Sequence, residues 1–216
     1  MSDLLYIAGL VVAYIVVKSL SPEMMTRVVM TVLGKSGLEK VGRKALASQP
    51  DRITLEPKAG PPAQPLAATA LRTLERRGFT VAGGFTIAEM SGVVVHFLVK
   101  ESESAVAVVY EHPKAGVWCD LYSRYRDGTS FTVTSAPAGG SLEGRPGPPS
   151  VRAPGQPPAM LHARLLNERP AGELQPIPAS GIAHHFAQAY AESTAWRKHR
   201  GIGAREVRGA ALERAG

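Results

Sequence analysis

The hydrophobic pattern changes period along the chain, and each change predicts a different kind of element. Residues 4–17 (LLYIAGLVVAYIVV) run without a charge, and apolar character resumes at Leu20. As a helix, residues 2–20 would cover roughly 28 Å, close to the hydrocarbon thickness of a bilayer. So short an apolar run also suits a buried helix or the core of a signal peptide. The flanks argue against a signal peptide, because Asp3 is the only charge ahead of the run. The A-x-A-like site Ala45-Leu46-Ala47 also lies far beyond it. Residues 1–20 are therefore read as a single transmembrane anchor.

A 3.6-residue period follows. Ser21-Pro22-Glu23 has the order of a helix start, with an N-cap, a first-turn proline and a first-turn acid. Met24, Met25, Val28, Val29, Val32 and Leu33 then fall on one tight stripe that Gly34 closes. Residues 21–47 thus predict an amphipathic, basic helical region. Such a helix could lie in the membrane interface, pair with another membrane subunit or pack on its own domain. Its place directly after an anchor favours the first two. Met25, Val28, Val29 and Val32 are its candidate contact residues.

Residues 48–65 (SQPDRITLEPKAGPPAQP) read as a Pro-rich linker, and residues 66–200 as the folded domain. The domain opens with a helix, LAATALRTLERRG, whose last turn is basic and whose stop is Gly78. From Phe79 the period becomes two. Residues 79–81 and 85–88 straddle Gly83-Gly84, as a short hairpin or a bulged strand would. Residues 93–99, 105–111, 117–124 and 129–135 predict further strands, the middle pair joined by the turn His112-Pro113-Lys114-Ala115-Gly116. Residues 136–158 hold seven Pro and five Gly and predict a long loop. Residues 160–168 and 180–200 return to helix, and 201–216 form a basic tail that is frayed or only marginally helical. The fold class is α+β: an N-terminal transmembrane helix, an amphipathic helix, then a small antiparallel sheet of four to five strands with flanking helices.

Charge sharpens this picture. Residues 18–58 hold eight Lys/Arg against four Asp/Glu, and residues 197–216 hold six against two, while residues 59–196 hold eleven of each. The neutral middle argues against a nucleic-acid-binding domain, which carries its positive stripe on the folded body. The basic residues after the anchor place residues 18–216 in the cytoplasm by the positive-inside rule. Lys35, Lys40, Arg43 and Lys44 could also attract anionic lipid headgroups.

Candidate chemistry is sparse. Phosphate loops, dinucleotide fingerprints, HExxH, CxxC and GxSxG are all missing, and one cysteine, Cys119, excludes an internal disulfide framework. Neither a cofactor nor a metal site is expected. A Cys119–His112 dyad would require a turn residue to reach a cysteine several positions down a strand. Adjacent His184 and His185 point about 100° apart on a helix and cannot share a metal as i, i+4 histidines do. Alternation puts Trp118, Asp120, Tyr122 and Arg124 on one sheet face. That mixture suits a contact surface with Trp118, Tyr122 and Arg124 as anchors, unless a helix covers it.

These observations favour a non-catalytic accessory or scaffolding subunit that binds other subunits of a membrane assembly. The rivals are a soluble protein whose first helix is buried against a partner or within an oligomer, and a membrane-tethered enzyme or small-ligand sensor. The pocket of the latter would lie between the sheet and the C-terminal helix, with Glu111, His112 and His184 as polar groups.

Overall fold

The computed structural model describes residues 22–137 and 150–215. They form two compact units, one of residues 49–137 and 150–199, the other of residues 22–48 and 200–215.

The larger unit is built on one mixed seven-stranded sheet whose strands lie side by side in chain order. They are β1 (Leu55–Pro57), β2 (Thr80–Ile87), β3 (Val94–Lys100), β4 (Ala105–His112), β5 (Gly116–Arg124), β6 (Ser130–Thr134) and β7 (Val151–Arg152). Neighbours through β6 are antiparallel, and β7 joins β6 in parallel. Helices α2 (Pro65–Arg76) and α3 (Pro158–Glu168) cover one face, closing a core around Leu74, Leu98, Leu121, Leu161 and Leu165. Helix α4 (Ile182–Arg200) covers the other, where Ile182 and Phe186 meet Val95, Phe97, Val108 and Tyr122. A sheet buried on both sides needs apolar residues at every position of its central strands. That is why Val94–Val99 and Ala105–Val109 are buried throughout and show no clean alternation.

The sheet has seven strands where the sequence predicts four or five. The two additions, β1 and β7, come from the stretches read as linker and Pro/Gly loop. Strands of three and two residues are too short to display a period, and edge positions tolerate proline, as at Pro57. Strand β2 is the bulged alternative, its register shifting between Val81 and Gly83. Gly84 has a further reason to be glycine: a Cβ there would sit 3.0 Å from His96 Nδ1 on β3.

In the smaller unit, α1 (Pro22–Ala47) breaks at Gly34, which takes φ 61° and ψ −173° inside the helical span. Beyond the break, Leu38, Gly42 and Leu46 are buried, and α5 (Ala204–Ala215) packs on α1. Ile202 and Val207 lie so close to Gly42 that a Cβ there would be 3.0 Å from the Ile202 carbonyl oxygen. Of the two states expected for the tail, frayed or marginally helical, Ala204–Ala215 takes the helical one. Twelve residues alone are marginal, but an apolar partner supplies what propensity does not. Its start is capped as well, since Glu206 Oε2 accepts the Gly203 N–H at 2.9 Å.

No described helix is long and apolar enough to cross a membrane. The proposed anchor, residues 1–20, lies outside the described residues, as do the side chains of Met25 and Val28.

Candidate functional site

The hairpin of β4 and β5 organises the polar chemistry of the larger unit. Its turn is closed by His112, whose Nδ1 accepts the backbone N–H groups of Lys114 (3.1 Å) and Ala115 (2.9 Å). That bond occupies one imidazole nitrogen with turn formation. Pairing then sets Tyr110 opposite Trp118, their rings stacked at 4.6 Å and 10°.

Glu111, His112 and His184 do not converge. Glu111 points to the face under α2, where it is 2 % exposed. Its Oε1 lies 2.7 Å from His96 Nε2, and its Oε2 accepts the Gln64 N–H at 2.6 Å. His184 is exposed on α4, which covers the opposite face. No pocket between sheet and helix is assembled from these three residues. Cys119 is buried beside Val109 on the α2 face, and burial, assisted by the Asp120 charge, pushes its thiol up to about 12. A thiol so far from ionising is a poor nucleophile. An alkylating reagent at about pH 8 is expected to leave Cys119 unmodified in the folded chain and to modify it fully in denaturant. Mass spectrometry checks both, and rapid labelling of the folded chain would contradict the buried placement.

The face under α4 carries a denser polar group. Asp120, Tyr122 and Arg124 follow one another along β5 at two-residue steps. The Thr134 hydroxyl donates to Asp120 Oδ1, and the Tyr110 hydroxyl also bonds this carboxylate. Burial raises the Asp120 carboxyl from 3.8 to about 6, against the lowering pull of those two bonds. Tyr122 is 9 % exposed and lies against His185 of α4, the ring centroids 6.3 Å apart. Arg124 bonds His185 Nε2 through Nη1. Burial, then the Arg124 charge, holds His185 below the ordinary imidazole value, so the ring is neutral.

Tyr122 and Arg124, two of the predicted anchors, therefore lie against α4, while Trp118 packs on Tyr110 and His112. Trp118 and Arg124 keep part of their surface, and Tyr122 keeps little. His185, Tyr110 and Thr134 are the members that the sequence reading did not select. Alternation could have found Tyr110 and Thr134 once the register was known. His185 was harder. The covered stripe of α4 (Ile182, Ala183, Phe186, Ala187 and Tyr190) centres roughly 130° from both His184 and His185, so helical period alone does not choose between them.

No family model, curated protein or solved structure matches this chain. The site must be read from its own chemistry. Among the described residues, no three His, Cys, Asp or Glu side chains gather as a metal site.

Proposed function

We propose that this chain is a non-catalytic accessory or scaffolding subunit of a membrane assembly. Residues 1–20 are its anchor, and residues 18–216 lie on the cytoplasmic side. One observation carries the reading: in the first half of α1, Met24, Val29, Val32 and Leu33 of the apolar stripe are exposed. Val29 is 47 % exposed, Val32 81 % and Leu33 40 %. Burying such a side chain is worth about 1.5–3 kcal/mol, so three on one stripe represent substantial unused contact energy. The stripe follows directly on the apolar run of residues 4–17 and precedes exposed Lys35, Lys40, Arg43 and Lys44. A helix of a neighbouring membrane subunit fits the apolar part, and anionic headgroups fit the basic part.

Purification of the full-length chain from its native membranes in a gentle detergent tests this reading. A set of membrane subunits in fixed ratio is expected to accompany it. Val29→Ser, Val32→Ser and Leu33→Ser together are expected to release those subunits while the chain itself stays folded and in the membrane fraction. A chain that purifies alone, or subunits that remain bound to the triple variant, would remove the basis of the proposal.

A second reading, a membrane-tethered enzyme or small-ligand sensor, is favoured by the polar atoms under α4. Its polar groups would be Tyr122, Arg124 and His185 in place of Glu111, His112 and His184.

A further inference from the structure

Packing within the smaller unit decides which side of α1 faces out. Leu38, Gly42 and Leu46 are buried, and Ile202 and Val207 lie against Gly42. On a helix of about 100° per residue, the centre of that buried line lies roughly 150° from the centre of Lys40, Arg43 and Lys44. All three cations are exposed. They fall within an arc of about 100°, as i, i+3 and i+4 positions do. Glu39, the one acid of residues 35–47, falls outside that arc.

These cations also lack a counter-charge. Lys40, Arg43 and Lys44 form no ion pair among the described residues, whereas Lys100, Arg126, Arg164, Lys198 and Arg200 each meet a carboxylate. The excess charge follows the same division. Residues 22–48 and 200–215 hold nine Lys/Arg against four Asp/Glu, while residues 49–137 and 150–199 hold fourteen against twelve. Like charges at i, i+4, as at Lys40 and Lys44, repel and weaken a helix. An anionic surface outside the chain offsets that repulsion.

The neighbouring side chains select the kind of surface. Val41, 46 % exposed, lies one turn from Lys44, and Val29, Val32 and Leu33 are exposed earlier in α1. Apolar groups beside cations suit the boundary between headgroups and acyl chains. A nucleic acid has no place for the valines. Residues 22–48 and 200–215 also contain no aromatic residue on which a base could stack.

We propose that the outward face of α1, centred on Lys40, Arg43 and Lys44, binds the headgroup surface of an anionic bilayer. Such a surface is broad, so the three cations act on it side by side without converging on one point. This rests on the membrane reading proposed above, and it adds that packing against α5 holds the face outward and that salt releases it.

Acetylation of lysines in the full chain tests this in two kinds of lipid nanodisc. One holds phosphatidylcholine alone, the other phosphatidylcholine and phosphatidylserine at about three to one. An anionic surface favours each nearby cation by roughly fivefold, so Lys40 and Lys44 should react at least about fivefold more slowly in the serine discs. Mass spectrometry gives the rate at each site. Lys114, the one cation of the β4–β5 turn, should react equally in both. At about 1 M sodium chloride, where the Debye length is about 3 Å, the difference should vanish. Arg43→Glu, at an exposed position, should cut it at least about twofold and leave the unfolding midpoint in place.

Equal rates in the two discs would overturn the proposal. So would a difference that salt or Arg43→Glu leaves unchanged, or an equal slowing at Lys114. Stronger protection by duplex DNA than by the serine discs at the same salt would assign a nucleic acid to this face instead. Subunits are read by co-purification and headgroups by labelling, so either can fail alone. If residues 1–20 do not anchor the chain, it will not sediment with phosphatidylcholine vesicles. Vesicles that contain phosphatidylserine should still retain it until salt is added.

Discussion

Glu111→Ala is expected to destabilise the sheet unit by at least about 1–3 kcal/mol, the cost of leaving buried hydrogen-bonding groups without a partner. The carboxylate is 2 % exposed and serves two donors at once, His96 on β3 and the backbone N–H of Gln64 at the start of α2. Alanine would leave both without a partner in a dry interior, and it would detach the α2 N-terminus from the sheet it covers. Urea unfolding of the full chain, followed by tryptophan fluorescence, measures the loss, because Trp118 and Trp196 both belong to the larger unit. Glu111→Gln is the informative companion. Its carbonyl can accept the Gln64 N–H while its amide donates to an unprotonated His96 Nε2, so a penalty of only about 1 kcal/mol is expected. A cost below about 1 kcal/mol for the alanine variant would show that the pair contributes little to stability.

Asp120→Asn is expected to act in the opposite direction and to depend on pH. Burial raises the folded carboxyl to about 6 from its ordinary 3.8, so the folded chain holds this proton more tightly than the unfolded chain. Stability rises with pH only where the unfolded state binds more protons, and here it binds fewer. The contribution of Asp120 is therefore fully present below about pH 4 and is lost as pH rises through about 6. Two pKa units correspond to about 3 kcal/mol, an order-of-magnitude ceiling. Asparagine keeps an oxygen for Thr134 and Tyr110 without the ionisation. Its unfolding free energy relative to the parent should be level near pH 4 and favour the variant by up to about 3 kcal/mol at neutral pH. Glu103 and Asp127, both held below their ordinary values, tilt the parent curve the other way, and the difference between the two proteins cancels them. Parallel curves across this range would contradict the partly buried placement of Asp120.

Most of the frame was legible in the sequence, and the reasons are local. The His112–Gly116 turn, the alternation along β5 and the glycine stops at Gly34 and Gly78 each follow from short-range sterics that a single sequence displays. The edge strands β1 and β7 were not legible, because pairing to a neighbour, not their own composition, makes them strands. The α5 helix was legible only in part for a related reason: its stability depends on Leu38, Gly42 and Leu46 of α1, more than 150 residues earlier in the chain. At the candidate site, alternation put Asp120, Tyr122 and Arg124 on one face but left open what lies above that face. Only the placement of α4 supplies His185 and turns an apparent contact surface into a covered polar cluster. Glu111 was selected for its charge and its neighbour His112, while its partners His96 and Gln64 come from another strand and a helix start.

The two short edges of the sheet restrict how this protein can meet another one. Partners that recruit an extended peptide add it as one more strand, and such an addition needs a row of free backbone groups. Strand β1 offers three residues, one of them a proline without an N–H, and β7 offers two. Neither is long enough to template a foreign strand. Among the described residues, β1 and β7 themselves therefore offer little backbone for edge-to-edge pairing.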